Sequence, residues 1–403
     1  MEVFYSTCIA ALIINLLIVK KRFNSGSLLL ISFIFCYGVT IASAGLYMGI
    51  IDLENNLGLN FNNTILPYSY FGTGFFILWW LLAVKNPKEI VRKNTIERAG
   101  VKRVFIIGEL FAWVTILSIA AACLMLGNIP VISMLLGQLD IRTHHYNLMS
   151  LPFGLMALTT AVGMVLAIIH AELLLVGPES GVPKRFYLLA RSTLIIASIW
   201  QANRQFFLFV VYCHALEYLQ NKKVNLTKLL MGFTVASLLF ILYFVYAQRV
   251  RLNQMGASDY EILGYATFPI LNLSSIVLNH SESVTSTPNY IFTELVPWRF
   301  RTDDFISNIQ PTLFEPTSPS GLIAYWYLDF GNLGAAIAGS LLGTFSGITH
   351  VKMFQCKVWY RLNILMTWCC LTAPVYSHLI SLNNMIFPAI IILILPSDKP
   401  ENK

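Results

Sequence analysis

The chain has 403 residues, of which 56% are hydrophobic and only 12% are charged, and its mean hydropathy is +0.66. A soluble domain of this length needs far more charge on its surface, so the composition excludes an ordinary soluble protein. The formal net charge of +7 does not indicate nucleic-acid binding, because the basic residues lie in short segments between long apolar runs, as in the cytoplasmic loops of membrane proteins.

Long apolar runs recur from one end of the chain to the other, and a helix that crosses a membrane needs about 20 such residues. The first run ends at Lys20 without a clear cleavage site, so we interpret it as a retained span and not as a signal peptide. The sequence therefore predicts an all-α integral membrane protein, a single polytopic domain over residues 1–403 with about 11 transmembrane helices and a range of about 10 to 12. The predicted spans are residues 3–19, 27–49, 68–84, 104–126, 151–176, 186–201, 203–219, 227–247, 321–349, 362–381 and 384–396.

Lysine and arginine are distributed unequally between the loops that join these spans. Strict alternation, with the loop at 20–26 in the cytoplasm, places every lysine of the chain on the cytoplasmic side, as the positive-inside rule requires. The prediction puts the N-terminus outside and the C-terminus inside. The outer loops then contain no lysine, and their basic residues are Arg142, Arg249, Arg251, Arg299 and Arg301.

Three loops face the non-cytoplasmic side in this topology, at 50–67, 127–150 and 248–320. The last has about 73 residues, which is too long for a passive connection, and we interpret it as a large periplasmic loop. Its apolar stretch 262–278 is interrupted by glycine, proline, asparagine and serine. That pattern predicts a re-entrant or surface helix rather than a full span.

Arginines at the outer membrane boundary form the first candidate site. A guanidinium group binds phosphate oxygens bidentately and keeps its charge when partly desolvated. These arginines could converge on one anion or could be separate interfacial anchors, although the positive-inside bias disfavours anchors on this face. Arg191, within a span, is expected to pair with a carboxylate or a backbone carbonyl. The outer candidates are Arg142, Arg204, Arg249 and Arg251, with Asn203 beside Arg204.

The second candidate site is the beginning of the predicted span 321–349, where Tyr325 precedes Asp329. A carboxylate in an apolar helix is costly, so Asp329 could form a salt bridge, bind a sugar hydroxyl or act as a base. Further along, small residues recur every four positions, and a row of small residues on one helix face lets a neighbouring helix pack closely. The row consists of Gly331, Ala335, Gly339, Gly343 and Gly347.

Other patterns are less specific. The seven cysteines show no CxxC pair, so we interpret them as buried apolar residues. The adjacent His144 and His145 lack the spacing of a helical metal site, and the sequence predicts neither a metal ion nor a cofactor. Four aromatic residues in or next to the long loop could stack on a sugar ring or belong to the membrane interface: Tyr290, Trp298, Trp326 and Tyr327.

These features together resemble the Wzy-type polymerases of bacterial O-antigen and capsule repeat units. The resemblance covers residues from about 100 to 350 and rests on the layout and on short motifs. The motifs are the segment Tyr325 to Gly334, which reads Tyr-x-x-x-Asp-Phe-Gly-x-x-Gly, the Asn203-Arg204 break between two spans, and Leu295 to Trp298 in a long outer loop.

This chain departs from one motif of that family. Some members carry an arginine followed by glycine after ten residues in the outer loops. Here eleven residues separate Arg142 from Gly154, and twelve separate Arg251 from Gly264. We therefore transfer no residue role through this motif.

The resemblance implies a metal-independent glycosyltransferase of the multi-span, GT-C-like type in the bacterial inner membrane, with its active site facing the periplasm. It would transfer a growing glycan from undecaprenyl pyrophosphate to a new lipid-linked repeat. Membrane lipid and a chain-length regulator protein would be its further partners. Arg142 and Arg204 would be catalytic with Asp329, and Arg249 and Arg251 would also bind pyrophosphate. Substrate would contact Asn203, Tyr325, Trp298 and Glu294. The base for the acceptor hydroxyl stays open among Asp329, Glu294, Glu315 and His280.

Two alternatives remain open from the sequence. An O-antigen ligase would use the same lipid donor but would transfer the glycan to lipid A-core. A flippase or transporter of lipid-linked sugar would move the substrate without changing it, and such proteins often contain internal repeats that we do not see in this chain.

Overall fold

The structure, a computed structural model of the chain, describes residues 61–84, 98–127, 151, 154–176, 181–200, 204–221, 273, 276, 277, 291, 321–353, 356–373 and 381–395. Within these ranges the regular elements are all helical and no strand occurs. The helices are α1 (Phe61–Trp79), α2 (Arg98–Leu126), α3 (Leu155–Val176), α4 (Lys184–Trp200), α5 (Arg204–Asn221), α6 (Leu322–Lys352), α7 (Lys357–Thr372) and α8 (Phe387–Ile394). Helix α1 continues as a π-helical turn at Trp80–Val84, and another at Leu382–Ile386 leads into α8.

The all-α prediction is confirmed for the described part of the chain. Each predicted span in that part overlaps a helix, while the spans at 3–19, 27–49 and 227–247 lie outside the described residues. Two stretches, Leu66–Ala83 and Val101–Leu126, are long and apolar enough to cross a membrane. Shorter apolar stretches occur in α3, α5 and α8. The total of about 11 spans stays a prediction.

The chain divides into two compact units. Unit 1 is formed by residues 1–95, 263–393 and 397–403, and unit 2 by 96–262 with 394–396. Unit 1 therefore contains α1, α6, α7 and most of α8, whereas unit 2 contains the consecutive helices α2 to α5.

Helices α1 and α6 pack side by side in unit 1 through the row of small residues. A β-carbon added to Gly339 would collide with the backbone carbonyl of Phe71, and one added to Gly343 would collide with the carbonyl of Phe75. Near the other end of the row, a β-carbon on Gly347 would lie 2.8 Å from Cβ of Leu82. The predicted packing role of these glycines is confirmed, because only residues without a side chain allow two backbones to approach this closely.

The core of unit 1 also includes part of the long predicted loop. Leu273, Ile276 and Val277 are helical and at most 6% exposed, and they belong to the same buried cluster as α1, α6 and α7. The described part of the stretch 262–278 is therefore helical, as expected, and it packs inside unit 1 rather than on its surface.

Unit 2 packs its helices through two further glycines. A β-carbon on Gly108 of α2 would lie 2.9 Å from the ring of Phe186 and 3.1 Å from Ile169. A β-carbon on Gly163 of α3 would lie 2.8 Å from the ring of Phe206 in α5. The aromatic rings occupy the space that larger side chains would need.

Helix directions within each unit agree with the predicted alternation. In unit 1 the contacts 71 to 339 and 75 to 343 rise together, so α1 and α6 are parallel. In unit 2 the parallel pair is α3 and α5, because Gly163 meets Phe206 and His170 meets His214. Strict alternation of spans also makes both pairs parallel, so these directions are compatible with the predicted topology, which stays a prediction.

Candidate functional site

Helix α6 breaks at Gly331, inside the segment that the sequence singles out. Gly331 has φ 60° and ψ −144°, a conformation that residues with a β-carbon rarely adopt. The break separates a short piece before Gly331 from the long piece that packs on α1. Directly after the break, a β-carbon on Gly334 would collide with the carbonyl oxygen of Trp326, so the chain crowds against the preceding turn.

Hydrogen bonds with α7 hold both ends of α6 in place. The backbone N–H of Leu322 donates to the carbonyl of Ala373 at 3.0 Å, so the beginning of α6 lies at the end of α7. Asn363 of α7 donates through Nδ2 to Oγ1 of Thr349 at 3.3 Å, near the other end of α6. Together these contacts make α6 and α7 antiparallel and fix the position of the break within unit 1.

Asp329 lies two residues before the break and is 1% exposed. Its Oδ2 accepts a hydrogen bond from the backbone N–H of Ile291 at 2.9 Å. A charged acceptor makes such a bond stronger than a neutral one. The carboxylate therefore attaches a residue of the predicted periplasmic loop to the broken helix, a role that the sequence analysis did not include among its alternatives.

One polar atom on each side of the break has no hydrogen-bond partner among the described residues. They are the indole N–H of Trp326 and the side-chain carbonyl oxygen of Asn332, and both atoms are buried. An unmatched buried polar atom costs about 1–3 kcal/mol, so one donor and one acceptor beside the same break require an explanation. A polar ligand that supplies hydroxyl groups would satisfy both, because a hydroxyl both donates and accepts.

The aromatic side chains at the break are only partly enclosed. Tyr325 and Tyr327 are half-buried, Phe330 is 38% exposed, and Trp326 is 9% exposed. Partly exposed aromatic rings next to hydrogen-bonding groups are the combination that fits a ligand with apolar faces and a polar edge. The predicted site residues that the structure brings to this place are Tyr325 and Asp329.

Most other predicted site residues lie outside the described ranges. The outer arginine set is represented only by Arg204, which begins α5 in unit 2 and whose side chain is not described. The shared anion site therefore stays a prediction. The residues outside the described ranges are Arg142, Asn203, Arg249, Arg251, His280, Glu294, Trp298 and Glu315.

Sequence reasoning missed a buried arginine in unit 1. The predicted span begins at residue 362, whereas α7 begins at Lys357, so Arg361 is helical and 1% exposed. The difference arises because an apolar run was used to set the boundary, and helix α7 extends one turn beyond that run. Other buried polar side chains on α6 and α7 include Ser346, Thr349, His350, Asn363 and Thr367.

Asn332 was also missed as a candidate ligand, and Trp326 was considered only for stacking on a sugar ring and not as a hydrogen-bond donor. Both belong to the Tyr325 to Gly334 segment. The signal that could identify Asn332 is a polar amide next to a glycine within an apolar helix, since such a glycine often marks a helix break. Gly331 itself is the first residue of the predicted packing row, but its observed role is to form the break.

Basic side chains lie at or near several helix ends in each unit. Lys102, Arg103, Lys184 and Arg185 are exposed in the first turns of α2 and α4. At the end of α6, the ammonium group of Lys352 lies 4.5 Å from the centroid of the Trp359 ring. Lysine over an aromatic face at a helix end is typical of the membrane–water interface.

Among the described residues, no group of three or more histidine, cysteine, aspartate or glutamate side chains could hold a metal ion. No protein-family model matches the chain, and neither the curated proteins nor the solved structures include a match to it. The site is therefore interpreted from its own geometry.

Proposed function

We propose that the chain is a membrane-embedded glycosyltransferase that polymerises lipid-linked oligosaccharide repeat units. It would transfer a growing glycan from undecaprenyl pyrophosphate to a new lipid-linked repeat, on the periplasmic face of the bacterial inner membrane. The observation that carries the proposal is the broken helix α6, where Trp326 and Asn332 offer one donor and one acceptor that have no partner among the described residues, beside partly exposed aromatic rings. The resemblance of the same segment to Wzy-type polymerases supports it.

The proposed site suits a carbohydrate better than a purely apolar ligand. Sugar hydroxyls both donate and accept, so they match the Trp326 indole and the Asn332 amide, while a sugar ring presents an apolar face to aromatic side chains. The attachment of Ile291 to Asp329 brings the predicted outer loop to the break.

The leaving group of the proposed reaction is a pyrophosphate, and its developing charge needs fixed cations. The outer arginines Arg142, Arg204, Arg249 and Arg251 are proposed for this role. A guanidinium group needs no metal ion to stabilise such a charge. The acceptor hydroxyl is proposed to lose its proton to a carboxylate, for which Asp329 is the candidate that lies at the break.

Purified full-length protein in lipid nanodiscs, supplied with lipid-linked repeat units, tests this function. The expected product is a ladder of longer lipid-linked glycans on a gel. Transfer of single repeats to added lipid A-core would instead define a ligase, and movement across a bilayer without lengthening would define a flippase. Either result overturns the proposal.

A matched pair of tryptophan variants tests the site separately. Trp326→Phe removes the free indole donor and keeps the ring, so we expect the polymerisation rate to fall about tenfold, as for the loss of one substrate hydrogen bond. Trp79→Phe removes another buried indole N–H that has no described partner, far from the break and beside His350. It should keep the normal rate. Equal rates for the two variants would exclude Trp326 from the site.

A further inference from the structure

Helix α6 reverses its direction at Gly331. A β-carbon on Gly334 would collide with the carbonyl oxygen of Trp326, although these two residues are eight positions apart in the chain. Eight residues of a straight α-helix cover about 12 Å along its axis, so the contact requires the short piece of α6, residues 322–330, to lie against the long piece that follows the break. Residues 326–334, which form the reversal, are called the tip.

Helix α7 gives the extent of this reversal. Leu322 is hydrogen-bonded to Ala373, and Thr349 is hydrogen-bonded to Asn363. The two α7 positions are about 15 Å apart along their helix, whereas a straight α6 would separate Leu322 from Thr349 by about 40 Å. A long piece of about 27 Å from Thr349 to Gly331 and a short piece of about 13 Å that returns from there leave about 14 Å, which agrees with α7. The short piece therefore lies along the long piece and begins where α7 ends.

Helix α1 shows at which height the tip lies. Phe71 is opposite Gly339, and the same register continues towards the beginning of both helices. It places Asn332 level with the residues just before the apolar stretch Leu66–Ala83 of α1. Trp326 lies at nearly the same height because of its contact with Gly334. With α1 as a membrane span, the tip lies at the membrane–water interface, and the predicted alternation makes this the outer interface.

Two buried polar atoms of the tip therefore lie at the height of the interface. The indole N–H of Trp326 and the side-chain carbonyl oxygen of Asn332 have no hydrogen-bond partner among the described residues. The lysine and arginine side chains described in unit 1 lie at the opposite end of α6 and in the first turns of α7. A donor and an acceptor without a described positive charge match an uncharged sugar residue better than they match a phosphate.

Exposed apolar side chains continue from the tip along the long piece. Leu333 is 66% exposed, Ile337 is 36% exposed and Phe345 is 49% exposed. Their intervals of four and eight residues place them along one side of the helix. A sugar bound at the tip therefore has next to it an apolar surface that begins at the interface. The combination fits an amphiphile, that is, a sugar joined to a membrane lipid.

We propose that the tip binds the lipid-proximal sugar of a lipid-linked glycan, the residue that is joined to the carrier, and that the carrier chain lies along Leu333, Ile337 and Phe345. The carrier holds this sugar at the height of the interface, whereas every further sugar extends into water. The inference rests on the proposed function, and it names the part of the substrate that the site recognises.

Native mass spectrometry of the full-length protein in nanodiscs measures the binding of four probes. They are the lipid-linked repeat unit, undecaprenyl pyrophosphate with only its first sugar, undecaprenyl pyrophosphate without sugar, and the oligosaccharide released from its lipid. We expect the first two probes to bind with affinities equal within about threefold, and the sugar-free carrier to bind about tenfold more weakly because it lacks the hydrogen bonds at the tip. The released oligosaccharide should bind about a hundredfold more weakly or less, since it buries no carrier chain.

Three variants assign the sugar contact to the tip. Trp326→Phe removes the donor, so it should weaken binding of the single-sugar probe about tenfold. Asn332→Leu removes the acceptor at nearly constant size and should have the same effect. Both proteins should bind the sugar-free carrier normally, which also shows that they are folded. Trp79→Phe, which removes a buried indole N–H at the other end of α1, should bind every probe normally.

Three results would overturn the inference. They are a released oligosaccharide that binds as tightly as the lipid-linked repeat, a single-sugar probe that binds no better than the sugar-free carrier, and Trp326→Phe and Asn332→Leu proteins that bind the single-sugar probe normally. The comparison of probes on the unsubstituted protein decides the matter even if both variants fail to fold. Chain lengthening tests the proposed function separately. Protein that binds the single-sugar probe through the tip but lengthens no glycan contradicts the polymerase and supports the inference.

Discussion

Asp329 shows how the sequence can indicate that a side chain has a specific role without indicating its partner. A carboxylate within an apolar run is costly, and this alone indicates a specific role. Its observed partner is the backbone N–H of Ile291. Every residue except proline carries such a group, so no sequence pattern distinguishes Ile291 from its neighbours. The burial of Asp329 could be expected, but the identity of its partner required the structure.

Substitutions of Asp329 separate its structural role from a chemical one. Asp329→Asn keeps a carbonyl oxygen that can accept from Ile291, whereas Asp329→Ala leaves that buried N–H unmatched. We expect Asp329→Ala to lower the free energy of unfolding by about 1–3 kcal/mol more than Asp329→Asn does. Thermal unfolding of the purified variants measures this difference. Similar stabilities would mean that the hydrogen bond contributes little.

The activity of Asp329→Asn adds independent information. An amide cannot take a proton from an acceptor hydroxyl at neutral pH, so a well-folded but inactive Asp329→Asn protein would support a role as base. A well-folded and active protein would show that the carboxylate holds the loop and takes no proton.

At the scale of the helix, spacing was more informative than residue type. The interval of four residues between glycines predicted the packing face of α6, because helix geometry alone places such residues in line. Helix boundaries were predicted less well. Helix α2 begins at Arg98, six residues before the predicted span. The prediction excluded its first turns because they carry the charged residues Lys102 and Arg103, which are exposed. Long basic side chains can continue a helix into the interface while their charged ends stay in water.

The break at Gly331 could not be derived from that spacing. The same four-residue repeat runs through Gly331 and Gly339, but only Gly331 has a positive φ. Glycine permits both conformations, so the sequence alone does not indicate which glycine bends the chain.

Glycine-to-alanine variants in the α1–α6 pair should have opposite effects. Gly339→Ala would push a methyl group into the carbonyl of Phe71, and we expect a loss of about 1–3 kcal/mol of stability. Gly72→Ala, on the partner helix, meets nothing within 4 Å, so it should add about 0.5–1 kcal/mol. Thermal unfolding in the same detergent compares them. If Gly339→Ala is as stable as Gly72→Ala, the two backbones are not in close contact.

At the scale of the whole molecule, the lysine distribution and the helix directions within each unit are separate observations, and both are compatible with the same predicted alternation of spans. One comes from charges in the loops and the other from contacts within the helices. The two observations can be compared because alternation applies to the entire chain. One wrongly placed span would reverse the predicted direction of every later helix. The location of the outer arginines could not be tested in the same way, because most of them lie outside the described residues.

Reporter fusions at two matched glycines test the sidedness. Gly127 and Gly181 are both exposed, and both have positive φ at helix ends. Alkaline phosphatase, which is active only outside the cytoplasm, should be active when fused after Gly127 and inactive after Gly181. A green fluorescent protein should show the reverse pattern. The same pattern at both glycines would contradict the alternation, and a reversed pattern would place the lysines outside.

The close contact between α1 and α6 also constrains the order in which the protein can assemble. About 270 residues separate Phe71 from Gly339, and translation at about 5–20 residues per second leaves α1 waiting for roughly 15–50 seconds before its partner is synthesised. Helices α2 to α5 are consecutive and can associate during that interval. The contact between α1 and α6 can therefore form only after α2 to α5 have been synthesised. Until then, the face of α1 that will receive the glycines lacks its partner helix.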